Sequence, residues 1–249
     1  MTDDTTEAGE RIAKIIARVG VCSRRDAEKL IADRRITLDG TPVTAQGTRA
    51  TPDQSIAIDG RPLKRAEPTR LWRYHKPIGL VTTHRDPQGR PTVFEKLPLR
   101  VPRVVSVGRL DINSEGLLLL TNDGTFARQL ELPAAGWERK YRVRLFGRIT
   151  QADLDKLALG TTLGDVRYGP VIADLERARG HYAWASVSLK EGKNREVKRL
   201  MESLGCKVAR LIRIQFGPFH LGQLDPGNVE EIASRIWRPT LGMARKKNA

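Results

Sequence analysis

The sequence lacks most of what would place a chain in a membrane, an oxidising compartment or a metal-centred chemistry. No apolar run approaches the roughly 20 residues that cross a bilayer. The opening stretch MTDDTTEAGE is acidic and has no apolar core, so a signal peptide is not expected. The two cysteines, Cys22 and Cys206, stand far apart and form no C-x-x-C pair. A disulfide framework is therefore not expected, and both thiols read as small buried residues in a reducing cytoplasm. The four histidines, His75, His84, His181 and His220, show no ligand spacing, so no metal site is expected.

Basic charge, by contrast, is in excess. Among 249 residues, 44 Lys and Arg stand against 29 Asp and Glu, a formal net charge of +15. An excess of this size points to a polyanionic partner, because each cation that neutralises a phosphate releases condensed counterions.

Residues 10–60 read as a small RNA-binding domain. Ile12, Ile15, Ile16 and Val19 fall on one helical face that Gly20 stops, and Ser23 N-caps a second helix that Asp26 favours electrostatically. ITL, the Asp39-Gly40 turn and TPV then form a hairpin, and SIAID a further strand ending at Gly60. Lys14, Arg24, Arg25, Arg34 and Arg35 concentrate cations on this unit. Two short helices followed by a hairpin with DG in its turn resemble the RNA-binding module of small-subunit ribosomal protein S-four. That resemblance implies that Ser23, Arg24, Arg25 and the turn at Asp39-Gly40 lie against RNA phosphates.

Residues 61–70, rich in Pro and charge, read as a linker. From Leu71 the pattern becomes short strands, expected at 71–74, 79–83, 104–107, 117–121, 140–146, 171–175, 183–189 and 208–214. Helices are expected at 124–131, 151–158 and 194–204. The fold class is α+β: the small domain joined to a catalytic domain (71–238) with a mixed, mainly antiparallel sheet flanked by helices and loops. Residues 239–249 read as a basic disordered tail.

The chemistry concentrates in GRLDINSEGLLLLTNDG, residues 108–124. Asp111 stands in a turn of small and polar residues between two apolar strands, and Leu117–Leu120 reads as a strand buried on both faces. Taken alone, Asp111 is a turn-former. The whole string, however, resembles the catalytic motif of the ribosomal RNA pseudouridine synthases. KYRVRLFG (140–147), LKEGKNREVKRLMESLG (189–205) and HKPIGLVTTHRDPQGRPTVFEKLP (75–98) resemble the same family in the same order. The nearest branch is the type B synthases of large-subunit ribosomal RNA.

This resemblance implies an isomerase that breaks the glycosidic bond of uridine, turns the uracil and rejoins it through C5, with no cofactor. Asp111 would be the essential carboxylate, either nucleophile or base. Tyr141 would stack on the extruded base. Lys193 or Arg195 would keep Asp111 ionised, while Lys198 and Arg199 read as surface residues. Where many relatives carry Arg, Lys193 departs, keeping the charge but losing bidentate geometry. Arg109 would fill the gap in the RNA or grip a phosphate. Ribosomal RNA, free or in an assembling subunit, is the expected partner of a monomeric enzyme. A non-catalytic ribosome-assembly factor fits residues 11–60 and the charge equally well, and DNA-binding regulation fits them less well.

Overall fold

Residues 9–132 and 136–242 are described by a computed structural model. They divide into two compact units. One holds the described residues up to Thr69 with Pro102–Val104 and Asn122–Gly124, and the other holds the rest.

In the first unit, β1 (Glu10–Arg11) leads into α1 (Ile12–Val19), which Gly20 ends in the left-handed conformation at φ 88°. In α2 (Arg24–Ala32) the Ser23 hydroxyl accepts the Asp26 N–H at 3.1 Å, the expected N-cap. Four strands then form a sheet in the order β3-β2-β5-β6: β2 (Ile36–Leu38), β3 (Thr41–Pro42), β5 (Ile56–Ile58) and β6 (Arg61–Pro62). The short β4 (Arg49–Ala50) pairs with β1. Ile12, Ile16, Ala27, Ile31, Ile36 and Ile56 close one core between helices and sheet.

Asp39-Gly40 and Asp59-Gly60 have φ of 50°, 83°, 50° and 74°, the positive values that a two-residue hairpin turn needs. The second turn corrects the expected linker. The chain folds back at Gly60, so Arg61–Pro62 pairs with β5 as a strand.

The second unit is built on a nine-stranded sheet of order β13-β14-β10-β15-β9-β7-β17, with β8 and β16 added to β9 and β15. Its strands are β7 (Leu71–Lys76), β8 (Val105–Val107), β9 (Glu115–Thr121), β10 (Arg139–Phe146), β13 (Val171–Arg179), β14 (Tyr182–Leu189), β15 (Lys207–Phe216), β16 (Phe219–His220) and β17 (Val229–Ile232). A separate hairpin joins β11 (Thr161–Leu163) to β12 (Val166–Tyr168). All pairings in the large sheet are antiparallel except β15 with β9, so it is mixed and mainly antiparallel.

β9, between β15 and β7, is buried along its whole length, as the LLLL run requires. Leu117 and Leu119 face a core with Phe126 and Leu130 of α3 (Gly124–Glu131) and Trp237 of α6 (Ser234–Thr240). α4 (Gln151–Asp155) continues as a 3-10 turn through Leu159, and α5 (Glu196–Ser203) packs on β15.

Three further expectations differ. Residues 79–83 form a loop with one bridge, Val81 to Thr92, rather than a strand, because their hydrogen-bonding groups serve the neighbouring loop. Helix α5 begins at Glu196, not 194, since Arg195 takes a left-handed backbone at φ 52°. The expected tail opens inside α6, which Trp237 anchors in the core; its residues 243–249 lie outside the described residues.

The parallel pairing of β9 with β15 depends on Gly116. A Cβ there would stand 2.3 Å from the Arg213 carbonyl oxygen, and its φ is +104°. Gly116→Ala is expected to cost about 1–3 kcal/mol from backbone strain alone, with the overlap added. A thermal melt unchanged from wild type would show that the strands can part without loss.

Candidate active site

Asp111 lies in the loop 108–114 that joins β8 to β9. This loop opens beside the β9–β15 pairing, which involves only Glu115 and Gly116 of β9. The Ser114 N–H donates to the Asp111 carbonyl at 3.0 Å, closing a turn that leaves the carboxylate one-third exposed.

The loop is fastened by the segment after β7. The Gly79 N–H donates to Ile112 O at 2.8 Å, and the Thr82 hydroxyl to Leu110 O at 2.9 Å. The Lys76 ammonium, fully buried, reaches Ser114 O at 2.8 Å, Pro77 O at 3.0 Å, Asp111 O at 3.1 Å and Ile112 O at 3.5 Å. Burial pushes its pKa down to about 8, against the raising influence of the Asp111 and Glu115 carboxylates.

The cation on Asp111 is Lys198, whose Nζ is 3.3 Å from Oδ2 and whose side chain is 8 % exposed. This corrects the expectation of a surface residue at 198, and with it the expectation for the two residues nearer the start of the motif. Lys193 is exposed; its ammonium donates to Arg167 O at 2.7 Å, pairs with Glu191 and lies over the Tyr168 ring. Arg195 is exposed at the head of α5, 4.0 Å from Glu202.

The reason is the phase of α5. Its buried face holds Val197, Leu200 and Met201. Lys198 precedes Met201 by three residues and so shares that face, whereas Arg199 points outward. The spacing puts Lys198 on the buried face, but only the packing of α5 on β15 turns that face to Asp111. Glu196 fixes the start of the helix by accepting the Lys193 N–H at 2.9 Å, and burial raises its carboxyl pKa.

Strand register aligns Lys76, Gly116, Arg213 and Tyr141 in one row across β7, β9, β15 and β10. Paired residues share a face, so Tyr141 and Arg213 stand on the face from which Lys76 reaches the Asp111 loop. Both are at least nine-tenths buried. The Arg213 Nε donates to Leu117 O at 2.8 Å, while its Nη2 is buried without a partner. Neither Lys76 nor Arg213 was singled out from the sequence; a lone Lys or Arg in a strand carries no periodic signal. Arg109 is exposed two residues before Asp111.

In the first unit, Arg24, Arg25 and Arg34 are exposed, whereas Lys14 pairs with Glu10 and Arg35 with Asp59. Ser23 serves the helix cap, and its hydroxyl donates to Asp26 at 2.6 Å. Asp39 is a structural tie, accepting the Ser55 N–H at 2.8 Å and the Gln54 amide at 2.9 Å.

Among the described residues no three His, Cys, Asp or Glu side chains converge as metal ligands, and no helix is long and apolar enough to cross a membrane.

A basic helical unit joined to a sheet that presents a lysine-paired aspartate is the build of an RNA-modifying enzyme. Residues 70–203 match the RNA pseudouridylate synthase family, and residues 10–56 match the S4 domain. An uncharacterized RNA pseudouridine synthase of Rickettsia prowazekii is 45% identical over 233 residues, covering 94% of this chain and 98% of that one. Ribosomal large subunit pseudouridine synthase B of Pseudomonas aeruginosa is 42% identical over 237 residues, 91% of this chain and 60% of that protein. A crystal structure of a pseudouridylate synthase superposes with a TM-score of 0.63 at 26% identity, covering 91% and 97% of the two chains. The chain belongs to the RNA pseudouridylate synthase family, enzymes that isomerise uridine in RNA.

The buried ammonium gives a pH signature. Lys76 holds its proton less firmly when folded (about 8) than an ordinary lysine at 10.5. Between those values the unfolded chain binds the extra proton, so this residue's contribution to stability rises with pH. The stability difference between wild type and Lys76→Met, from denaturant titrations, should therefore grow from pH 7.5 to 10. A flat difference would contradict the buried charge.

Proposed function

We propose that this enzyme isomerises a specific uridine of large-subunit ribosomal RNA to pseudouridine, as a cytoplasmic monomer needing no cofactor. The observation that carries the reading is the Asp111–Lys198 pair, 3.3 Å apart on a loop clamped by a buried lysine. The likeness to the large-subunit enzyme of Pseudomonas aeruginosa supports the RNA class.

In this reading Asp111 acts on the ribose, as nucleophile or as base. The N1–C1′ bond breaks with its electron pair left on N1, the uracil turns, a C5–C1′ bond forms, the C5 proton leaves to solvent and N1 takes up a proton. Lys198 pairs with the Asp111 carboxylate at 3.3 Å and holds it in position. Tyr141 stacks on the extruded base, and the unpartnered Arg213 Nη2 donates to an oxygen of the nucleotide. Arg109 contacts the RNA next to Asp111. Residues 10–60 grip phosphates through Arg24, Arg25 and Arg34, with Lys14, Arg35 and Ser23 supporting the surface, and residues 71–238 hold the catalytic groups.

Asp111→Asn should lower tritium release from C5-labelled ribosomal RNA on the order of 10⁴-fold while RNA binding persists. Lys198→Met should lose most of the activity and Lys198→Arg should keep part of it, whereas Lys193→Ala should retain turnover near wild type. Equal losses at positions 193 and 198 would break the pairing argument.

Replacing Arg24 and Arg25 together by Ala should weaken RNA binding. The slope of log affinity against log salt should flatten by about 0.7–0.9 for each phosphate left without its cation. An unchanged slope would place phosphate elsewhere.

A further inference from the structure

The opposite face of the same sheet, at its β13–β14–β10–β15 end, has an unusual composition. Register sets Arg210, Arg144, Trp184 and Arg177 in one transverse row, and Lys207, Phe146, Tyr182 and Arg179 in the next. Alternation along β10 turns Arg144 and Phe146 away from Tyr141, Val143 and Leu145.

The side chains are already stacked. The Arg142 guanidinium lies 4.6 Å over Trp184 and that of Arg144 lies 4.3 Å over Tyr182. Phe146 follows, its ring 5.3 Å from Tyr182 and 6.1 Å from His181. Phe146 is 46% exposed and Tyr182 44% exposed.

Three carboxylates meet this surface: Glu176 at Arg142, Glu115 at Arg210, and Asp174 in the transverse row of Arg142 and Ser186. Among the described residues, Arg144, Arg177, Arg179 and Lys207 have no carboxylate within ion-pair distance. Arg144 also stands directly opposite Arg210 across two strands. Glu115 offsets Arg210, but Arg144, Arg177, Arg179 and Lys207 leave positive charge without a carboxylate partner beside exposed aromatic rings, and both are unfavourable in water. A polyanion with planar apolar faces relieves both.

We propose that this face is a second RNA-binding surface for a single-stranded segment. Bases stack on Phe146, Tyr182 and Trp184, and phosphates meet Arg144, Arg177, Arg179 and Lys207. Sheet faces of this composition take about two or three nucleotides. The surface backs onto the catalytic face, so it holds RNA flanking the target and does not compete for the uridine. Charge complementarity favours nucleic acid, and the flat guanidinium–ring stack favours unpaired bases over an acidic protein surface.

The test uses full-length protein and a labelled 20-mer of adenylate, about 20 nucleotides being enough to span the surface. It carries no uridine and cannot be turned over. Two variants are compared by fluorescence anisotropy over a salt series: Phe146→Ala with Tyr182→Ala, and Arg144→Gln with Arg177→Gln. Each should weaken oligoadenylate binding by about tenfold, and the second should flatten the salt slope by about 1.4. Both should still convert a short uridine hairpin at the wild-type rate. Asp111→Asn should do the reverse, which separates failure of this inference from failure of the catalytic reading. The arginine pair leaves the rings in place and remains informative if the aromatic variant unfolds. Oligoadenylate affinity within twofold of wild type in both variants would overturn the inference. So would polyglutamate displacing the oligonucleotide from wild type at equal charge, because that marks a protein-docking face.

Discussion

The active-site loop rests on one buried cation. Lys76 reaches four carbonyl oxygens, three of them from residues 111–114. A loop that turns between two strands exposes carbonyls that neither strand can satisfy, and unpaired buried carbonyls are costly. One ammonium meets them together and fixes the turn that aims Asp111. Burial lowers its pKa to about 8, against the raising influence of the Asp111 and Glu115 carboxylates. The charge ties the loop to β7.

The rest of the site follows from that anchorage. With β7 fixed to the loop, register carries the same level across β9 to β15 and β10, where Arg213 and Tyr141 stand. The row closes only because Gly116 lets β15 approach, its Cβ position being 2.3 Å from backbone. Helix α5 then lowers Lys198 onto Asp111 from a face it shares with Leu200 and Met201. Each device is modest by itself. Together they hold a carboxylate, its counter-charge and an aromatic ring on three different elements, each fixed by packing.

The two faces of the sheet divide the work. One carries Lys76, Arg213 and Tyr141; the other is apolar at β9 and turns to arginine and aromatic residues towards β13. A strand buried on both faces, β9, makes this possible, since a half-solvated centre could not isolate the two surfaces.

Much of this was legible in the residues. Short-range physics determined α1, the Ser23 cap, the Asp39-Gly40 turn and the buried LLLL strand, because each depends on neighbours a few positions away. Family resemblance singled out Asp111 and Tyr141. The tertiary structure alone decided which cation meets Asp111. Lys193, Arg195 and Lys198 are chemically similar and only five positions apart. The choice among them depends on the rotation of α5 and on a left-handed Arg195 backbone, set by packing on β15. The same holds for Lys76 and Arg213: nothing local marks them. Their partners lie 38 and 96 residues away, and only the sheet brings those carbonyls within reach.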